Sequence, residues 1–322
     1  MSFISDDDSL SSFNIDLGYS LSSTFSLAAL LIMRCKKKQL TTLLHSLQET
    51  PFCLGSWKMN AGSFIIAAAG PVYASISMIF FNTSDKQKLG AFYTYGQEVE
   101  NSILRNVITL LKTIPMNFLF HTFANLLTLL YCDLCCHCCV LLRNLTKEIT
   151  ECSPEAFTYP KQIALLKKRK RIMGYLEDMQ NYFSSITFLI CVANFVICFS
   201  SLASYLWNSA TISNVFAKVD VFYTTFNCLI VLSAIFLVAG QVPVEAENFV
   251  DAFRKKLECR LFHESSPEVN VPIQEWLFVK PDFVLSGCKM INYKRSSILT
   301  AFGTILTYGL LIVNMEVRKK TS

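Results

Sequence analysis

Six stretches of this chain are apolar and almost free of charge over the length a helix needs to cross a lipid bilayer: Leu17–Met33, Gly62–Phe81, Val107–Tyr131, Phe183–Trp207, Phe216–Val238 and Ser296–Met315. A hydrocarbon core about 30 Å thick asks for roughly 17–25 such residues in a row, and a helix satisfies its own backbone there. The expected fold is therefore all-α, a polytopic transmembrane helical bundle of six spans. Composition agrees, with 52% of the 322 residues hydrophobic, 16% charged and a mean hydropathy of +0.39. A soluble domain carries about 25% charge, so disorder, a collagen-like chain and an ordinary soluble enzyme are excluded. The first span follows an acidic leader, Asp6-Asp7-Asp8, and no small-residue cleavage site comes after it. A signal peptide has a basic leader, so this span is expected to stay in the mature chain.

Loop charges orient the bundle. With the N-terminus outside, three inner segments hold 21 of the 29 basic residues, among them Arg34 to Lys38, Lys167 to Arg171 and Arg254 to Lys256. Lys and Arg stay on the cytoplasmic side, so the opposite orientation is disfavoured, although Arg318, Lys319 and Lys320 then lie outside. Asn82-Thr83-Ser84 is an N-glycosylation acceptor just outside the second span, which supports the same orientation.

The inner segments carry helical periodicity. Ile172, Leu176, Met179 and Phe183 fall on one helical face, as do Phe249, Phe253 and Leu257 and, nearer the N-terminus, Leu40, Leu43, Leu44 and Leu47. The fourth span is expected to begin as a cytosolic helix well before the bilayer, and the third to run on through Cys132–Leu142, which has no Gly or Pro. The stripes pack either within one chain or against another subunit. The expected organisation is an outer N-terminus and three spans over 1–131, a cytosolic helical extension over 132–182, the fourth and fifth spans over 183–240, a cytosolic linker and anchor over 241–295, and the last helix with an outer tail over 296–322.

Residues with reactive side chains are few. The 13 cysteines show no regular extracellular spacing, so no disulfide framework is read. Six residues of Cys132–Cys139 are Cys or His, ligand types that suit zinc, but no second ligand pair is evident. Their place at the inner membrane boundary favours helix packing, or palmitoylation at Cys135, Cys136, Cys138 and Cys139. His121 lies inside the third span; an intramembrane ionisable group is a functional candidate, and a neutral imidazole bonded to a neighbouring helix is the expected state. The run Lys167–Arg171 suits anionic headgroups or a solvated face. No hydrolase, zincin or phosphate-loop motif occurs, no cofactor is called for, and no pattern suits nucleic acid.

The C-terminal stretch carries the most information. Phe283 and Gly287 lead into the last span, where Thr307-Tyr308 is followed by five apolar residues, Gly309–Val313, and then Asn314. This resembles the last helix of arthropod gustatory receptors, whose hallmark is Thr-Tyr, five apolar residues and Gln; here the amide is kept one methylene shorter. That family has seven spans and a cytosolic N-terminus. The layout fits if Leu17–Met33 takes the place of the family's second helix and the first is lacking.

The resemblance implies a ligand-gated, non-selective cation channel of the plasma membrane, a homo- or hetero-tetramer whose last helices line one pore. Its partners would be a tastant or other small chemical ligand, permeant cations and membrane lipids. On the helix itself Tyr308, Leu311, Asn314 and Met315 share a face, with Leu311 as an apolar constriction and Asn314 as an amide ring. Aromatic candidates for a ligand pocket are Tyr19, Phe80, Phe81, Tyr205, Trp207, Phe222 and Tyr223, since rings bury large area. Tyr and Trp also anchor ordinary spans at the interface. The alternatives are a membrane receptor or transporter with no pore of its own, or a truncated receptor that does not conduct.

Overall fold

The computed structural model describes residues 6–48, 61–68, 72, 101, 104, 107–108, 111, 118–207, 215–263 and 283–321. The chain forms α1 (Asp6–Cys35), α2 (Lys37–Gln48), a π-helical turn (Phe118–Thr122) that runs into α3 (Phe123–Glu151), α4 (Tyr159–Trp207), α5 (Val215–Ala239), α6 (Gln241–His263) and α7 (Arg295–Thr321). One antiparallel hairpin, β1 (Ser286–Gly287) and β2 (Ile291–Asn292), precedes α7. Among the described residues three helices are long and apolar enough to cross a membrane, Phe123–Glu151, Tyr159–Leu202 and Val221–Arg260, and Ser20–Cys35 is a shorter apolar helix. Most of Gly62–Phe81, and residues 109, 110 and 112–117 of Val107–Tyr131, lie outside the described residues.

Helix α4 sets the frame. Its 49 residues rise about 74 Å at 1.5 Å each, more than twice the bilayer core, and its first half belongs to a bundle with α2, the second half of α3 and α6. Helix α1 lies along α4, where the Ser22 hydroxyl donates to the Ala193 carbonyl at 3.1 Å and Lys36 Nζ reaches the Asn181 carbonyl at 2.8 Å.

This bundle has its own core. On α3, Leu134, Cys135, Cys138, Leu142, Leu145 and Ile149 are buried at helical spacing. The stripe Ile172, Leu176, Met179 and Phe183 is buried within this chain, which decides between the two covers its spacing left open: α1, α2, α3 and the hairpin all pack on α4. Phe249 and Phe253 are buried likewise, with Phe253 edge-on to Phe157 at 5.1 Å. Lys256 Nζ caps the open end of α3 by donating to the carbonyls of Thr150 at 3.2 Å and Cys152 at 2.6 Å, as a cation at a helix C-terminus should.

Charge pairing tightens the same layer. Glu148 accepts from Lys161 and from Lys168, the latter at 2.9 Å, and these bonds hold its carboxyl below the usual glutamate value. Arg169 turns inward from the basic run, its guanidinium 5.5 Å over the Phe249 ring. The run Lys167–Arg171 is thus divided between an ion pair, a core contact and solvent.

Candidate functional site

A polar chain crosses the apolar bundle between α3 and α5. Asn125 Nδ2 donates to Asn227 Oδ1 at 2.9 Å, and Asn227 Nδ2 faces His121 Nδ1 at 3.2 Å. The amide nitrogen can only donate, so in this arrangement Nδ1 is the acceptor. The Tyr223 ring stands edge-on to His121 at 5.5 Å. His121 sits in the π-helical turn, a distortion that recurs at functional sites.

Polar capacity stays unused on the same helices, at Asn125 and at three threonines outside the polar chain. Asn125 Oδ1 and the hydroxyls of Thr122, Thr128 and Thr225 are buried without a partner. By contrast Thr146 and Thr187 satisfy their hydroxyls on the carbonyls four residues earlier, at 3.0 Å and 2.9 Å. Unpaired buried polar groups cost about 1–3 kcal/mol each. On α3, His121, Asn125 and Thr128 share one face by helical register. Sequence reasoning singled out His121 and Tyr223 but missed Asn125 and Asn227, although two asparagines inside apolar helices were a readable signal.

Below this site the last helix is fastened to the rest. In the hairpin the Met290 N–H donates to the Gly287 carbonyl at 2.9 Å, and the two central residues, Cys288 and Lys289, have φ of 51° and 59°. Positive φ at both is what a type I′ turn requires and what such residues resist. The turn is held from α4, where Ser184 Oγ accepts from the Cys288 N–H at 2.9 Å. Gly287 is a place of close approach, since a Cβ there would overlap the Tyr293 hydroxyl and lie 3.1 Å from Phe188 Cβ. That gives the glycine of the lead-in a physical reason. Phe283, the other lead-in residue, packs against the main core.

Helix α7 lies against α4 and α5 through Ile298, Ala301, Phe302 and Ile305, of which Ile305 is buried. The opposite face, with Thr300, Gly303, Thr304, Thr307 and Leu311, is exposed. Tyr308 is exposed on the flank, edge-on to Phe199 of α4 at 5.8 Å. Asn314 and Met315 belong to the helix, but their side chains lie outside the described residues. The three threonines were missed as part of this face because the sequence reading began at Tyr308.

The remaining candidates scatter. Phe222 is 71% exposed and stacks on Phe226, away from His121. The side chains of Tyr19, Tyr205 and Trp207, and all of Phe80, Phe81 and Asn82, lie outside the described residues. Cys135, Cys138 and Cys139 are packed in the core, whereas Cys136 is exposed. Among the described residues no three His, Cys, Asp or Glu side chains are grouped to hold a metal ion.

The described helices form one bundle that carries apolar, span-length helices and ends on a fastened last helix. The fold is similar to that of the insect olfactory receptor OR5 from Machilis hrabei, with a TM-score of 0.68 at 16% identity, over 94% of this chain and 81% of that one. The same receptor in complex with eugenol gives a TM-score of 0.67 at 16% identity, over 94% and 80%. The sequence model of the trehalose receptor, an insect gustatory receptor family, matches residues 99–322, and the chain belongs to that family. Curated protein sequences give no match.

Proposed function

We propose that the chain is a gustatory-type receptor of the plasma membrane that acts as a ligand-gated, non-selective cation channel, a homo- or hetero-tetramer with one α7 per subunit around the pore. The observation that carries the reading is the α7 face turned away from its own chain: Thr300, Thr304, Thr307 and Leu311 are exposed, and two of these hydroxyls are satisfied internally, Thr304 on Thr300 and Thr307 on Gly303, each at 2.8 Å. A wall of small hydroxyls and one apolar residue, without fixed charge, suits weakly selective passage of hydrated cations. Asn314, farther along the same helix, is the amide ring of this reading.

The ligand is a small hydroxylated molecule that binds at the His121–Asn227 chain and takes up the unused polar atoms there. The disaccharide in the family's name is the first to test. Cells that express the chain should pass an inward cation current when trehalose is applied, and Asn227→Ala should abolish it at matched surface expression. Trehalose binding without current would favour a receptor with no pore of its own; current that survives Asn227→Ala would remove the site.

The organisation read from sequence completes the proposal, with the segments 132–182 and 241–295 cytosolic. Cys136 is then the member of the cysteine cluster placed for acylation. Asn82 is the acceptor placed for glycosylation outside.

A further inference from the structure

Tyr293 is fully buried two residues before α7 begins at Arg295, and it touches three other helices. Its hydroxyl donates to Thr187 Oγ1 on α4 at 2.9 Å. Its ring stands edge-on to Phe236 of α5 at 5.6 Å and to Tyr131 of α3 at 6.5 Å. Its N–H donates to the Leu285 carbonyl at 2.9 Å, which ties it to the hairpin.

Two of those contacts lead back to the ligand site. Tyr131 on α3 stands ten residues after His121 of the π-helical turn, and Phe236 nine along α5 from Asn227, about 14–15 Å at 1.5 Å per residue. A helix is stiff over that distance, and a close-packed interior passes a displacement on instead of absorbing it. Between Tyr293 and α7 only Lys294 intervenes, held by Lys294 N to Asn292 O at 2.9 Å and Ser297 N to Lys294 O at 3.0 Å. A shift of α3 against α5 must therefore move the Tyr293 ring, and the ring must move the first turn of α7.

We propose that Tyr293 is the positioning residue that couples the His121–Asn227 site to the last helix: its bond to Thr187 holds the ring against Tyr131 and Phe236 on one side, and Lys294 alone links it to Arg295 on the other. The proposal deepens the ligand-gated reading and rests on it. Coupling is a free energy shared between two places, so its test is a cycle between them.

Amide exchange is measured on the full chain in detergent, with Asn227→Ala to loosen the site and Tyr293→Phe to release the Thr187 bond while keeping the ring. In the parent, Asn227→Ala should raise exchange over residues 296–300 by about three-fold or more; in the Tyr293→Phe background the same change should add less than about 1.5-fold. A merely structural tyrosine would raise exchange there by itself and leave the effect of Asn227→Ala unaltered. Thr187→Val breaks the same bond from α4 and should reproduce the loss if Tyr293→Phe fails to fold. An equal effect of Asn227→Ala in all backgrounds would overturn the proposal. Exchange needs neither ligand nor current, so a chain that fails to conduct would count against the channel reading alone.

Discussion

The Gln180 side-chain amide and the Ser286 backbone hold each other in both directions, Gln180 Nε2 donating to the Ser286 carbonyl at 2.7 Å and the Ser286 N–H donating to Gln180 Oε1 at 3.0 Å. The same Nε2 reaches Ser286 Oγ at 2.9 Å. One α4 side chain thereby fixes the strand that leads to α7. Gln180→Ala leaves the Ser286 N–H without its acceptor and should cost about 1–3 kcal/mol, read as a lower melting temperature of the detergent-purified chain. An unchanged melting temperature would show the clasp to be idle.

Gly287→Ala should destabilise more, because the new Cβ overlaps the Tyr293 hydroxyl inside a packed core. Overpacking of this kind costs about 1–3 kcal/mol. Adding Tyr293→Phe removes the overlapped oxygen and should recover part of the loss, measured as folded yield and melting temperature. A double variant worse than Gly287→Ala would place the strain elsewhere, against Phe188.

The foot of α7 is also tied to α3 and α6. Arg143 pairs with Glu245 at 2.5 Å, Gln241 donates to the same carboxylate at 2.8 Å, and Arg295 bonds to Gln241. Burial works against the Glu245 carboxylate, but the Arg143 and Gln241 bonds outweigh it, so its pKa lies below the ordinary glutamate value. A carboxyl with a lowered folded pKa adds stability that is present above the unfolded pKa and lost as pH falls through the folded one. Melting temperature should therefore drop as pH falls below the usual glutamate range, and Glu245→Gln should flatten that drop. An identical slope in the variant would exclude Glu245 as its source.

Much of this was readable from residue spacing, and the limits have physical causes. Spacing placed the early start of α4 and the run of α3 through its cysteines, because an unbroken apolar period without Gly or Pro forces a continuous helix. It could not say what covers Ile172, Leu176, Met179 and Phe183, since a buried stripe looks the same whether its cover is the same chain or another. The hairpin was invisible: its strands are two residues long and Cys288-Lys289 carries no turn signal. The link from Asn125 through Asn227 to His121 joins residues about a hundred positions apart, which no local pattern reveals.

The exposed face of α7 predicts a pattern of water access. Single cysteines at Thr304, Thr307 and Leu311 should react with a membrane-impermeant thiol reagent while the channel conducts, and the modification should reduce the current. A cysteine at Ile305, which is buried, should stay unreacted. Equal reaction at Ile305 would place the pore on the other side of the helix.

Ion selectivity tests the central claim most directly, because only a residue in the conduction path changes which ions pass. The measurement is the reversal potential of the ligand-evoked current in mixed monovalent and divalent solutions, compared between the parent chain and Asn314→Asp at matched surface expression. Four acidic groups in a ring would draw divalent cations into the confined site, so Asn314→Asp should shift the reversal potential toward higher divalent permeability or introduce divalent block. A reversal potential and block identical to those of the parent would contradict the account and remove the last helix from the pore.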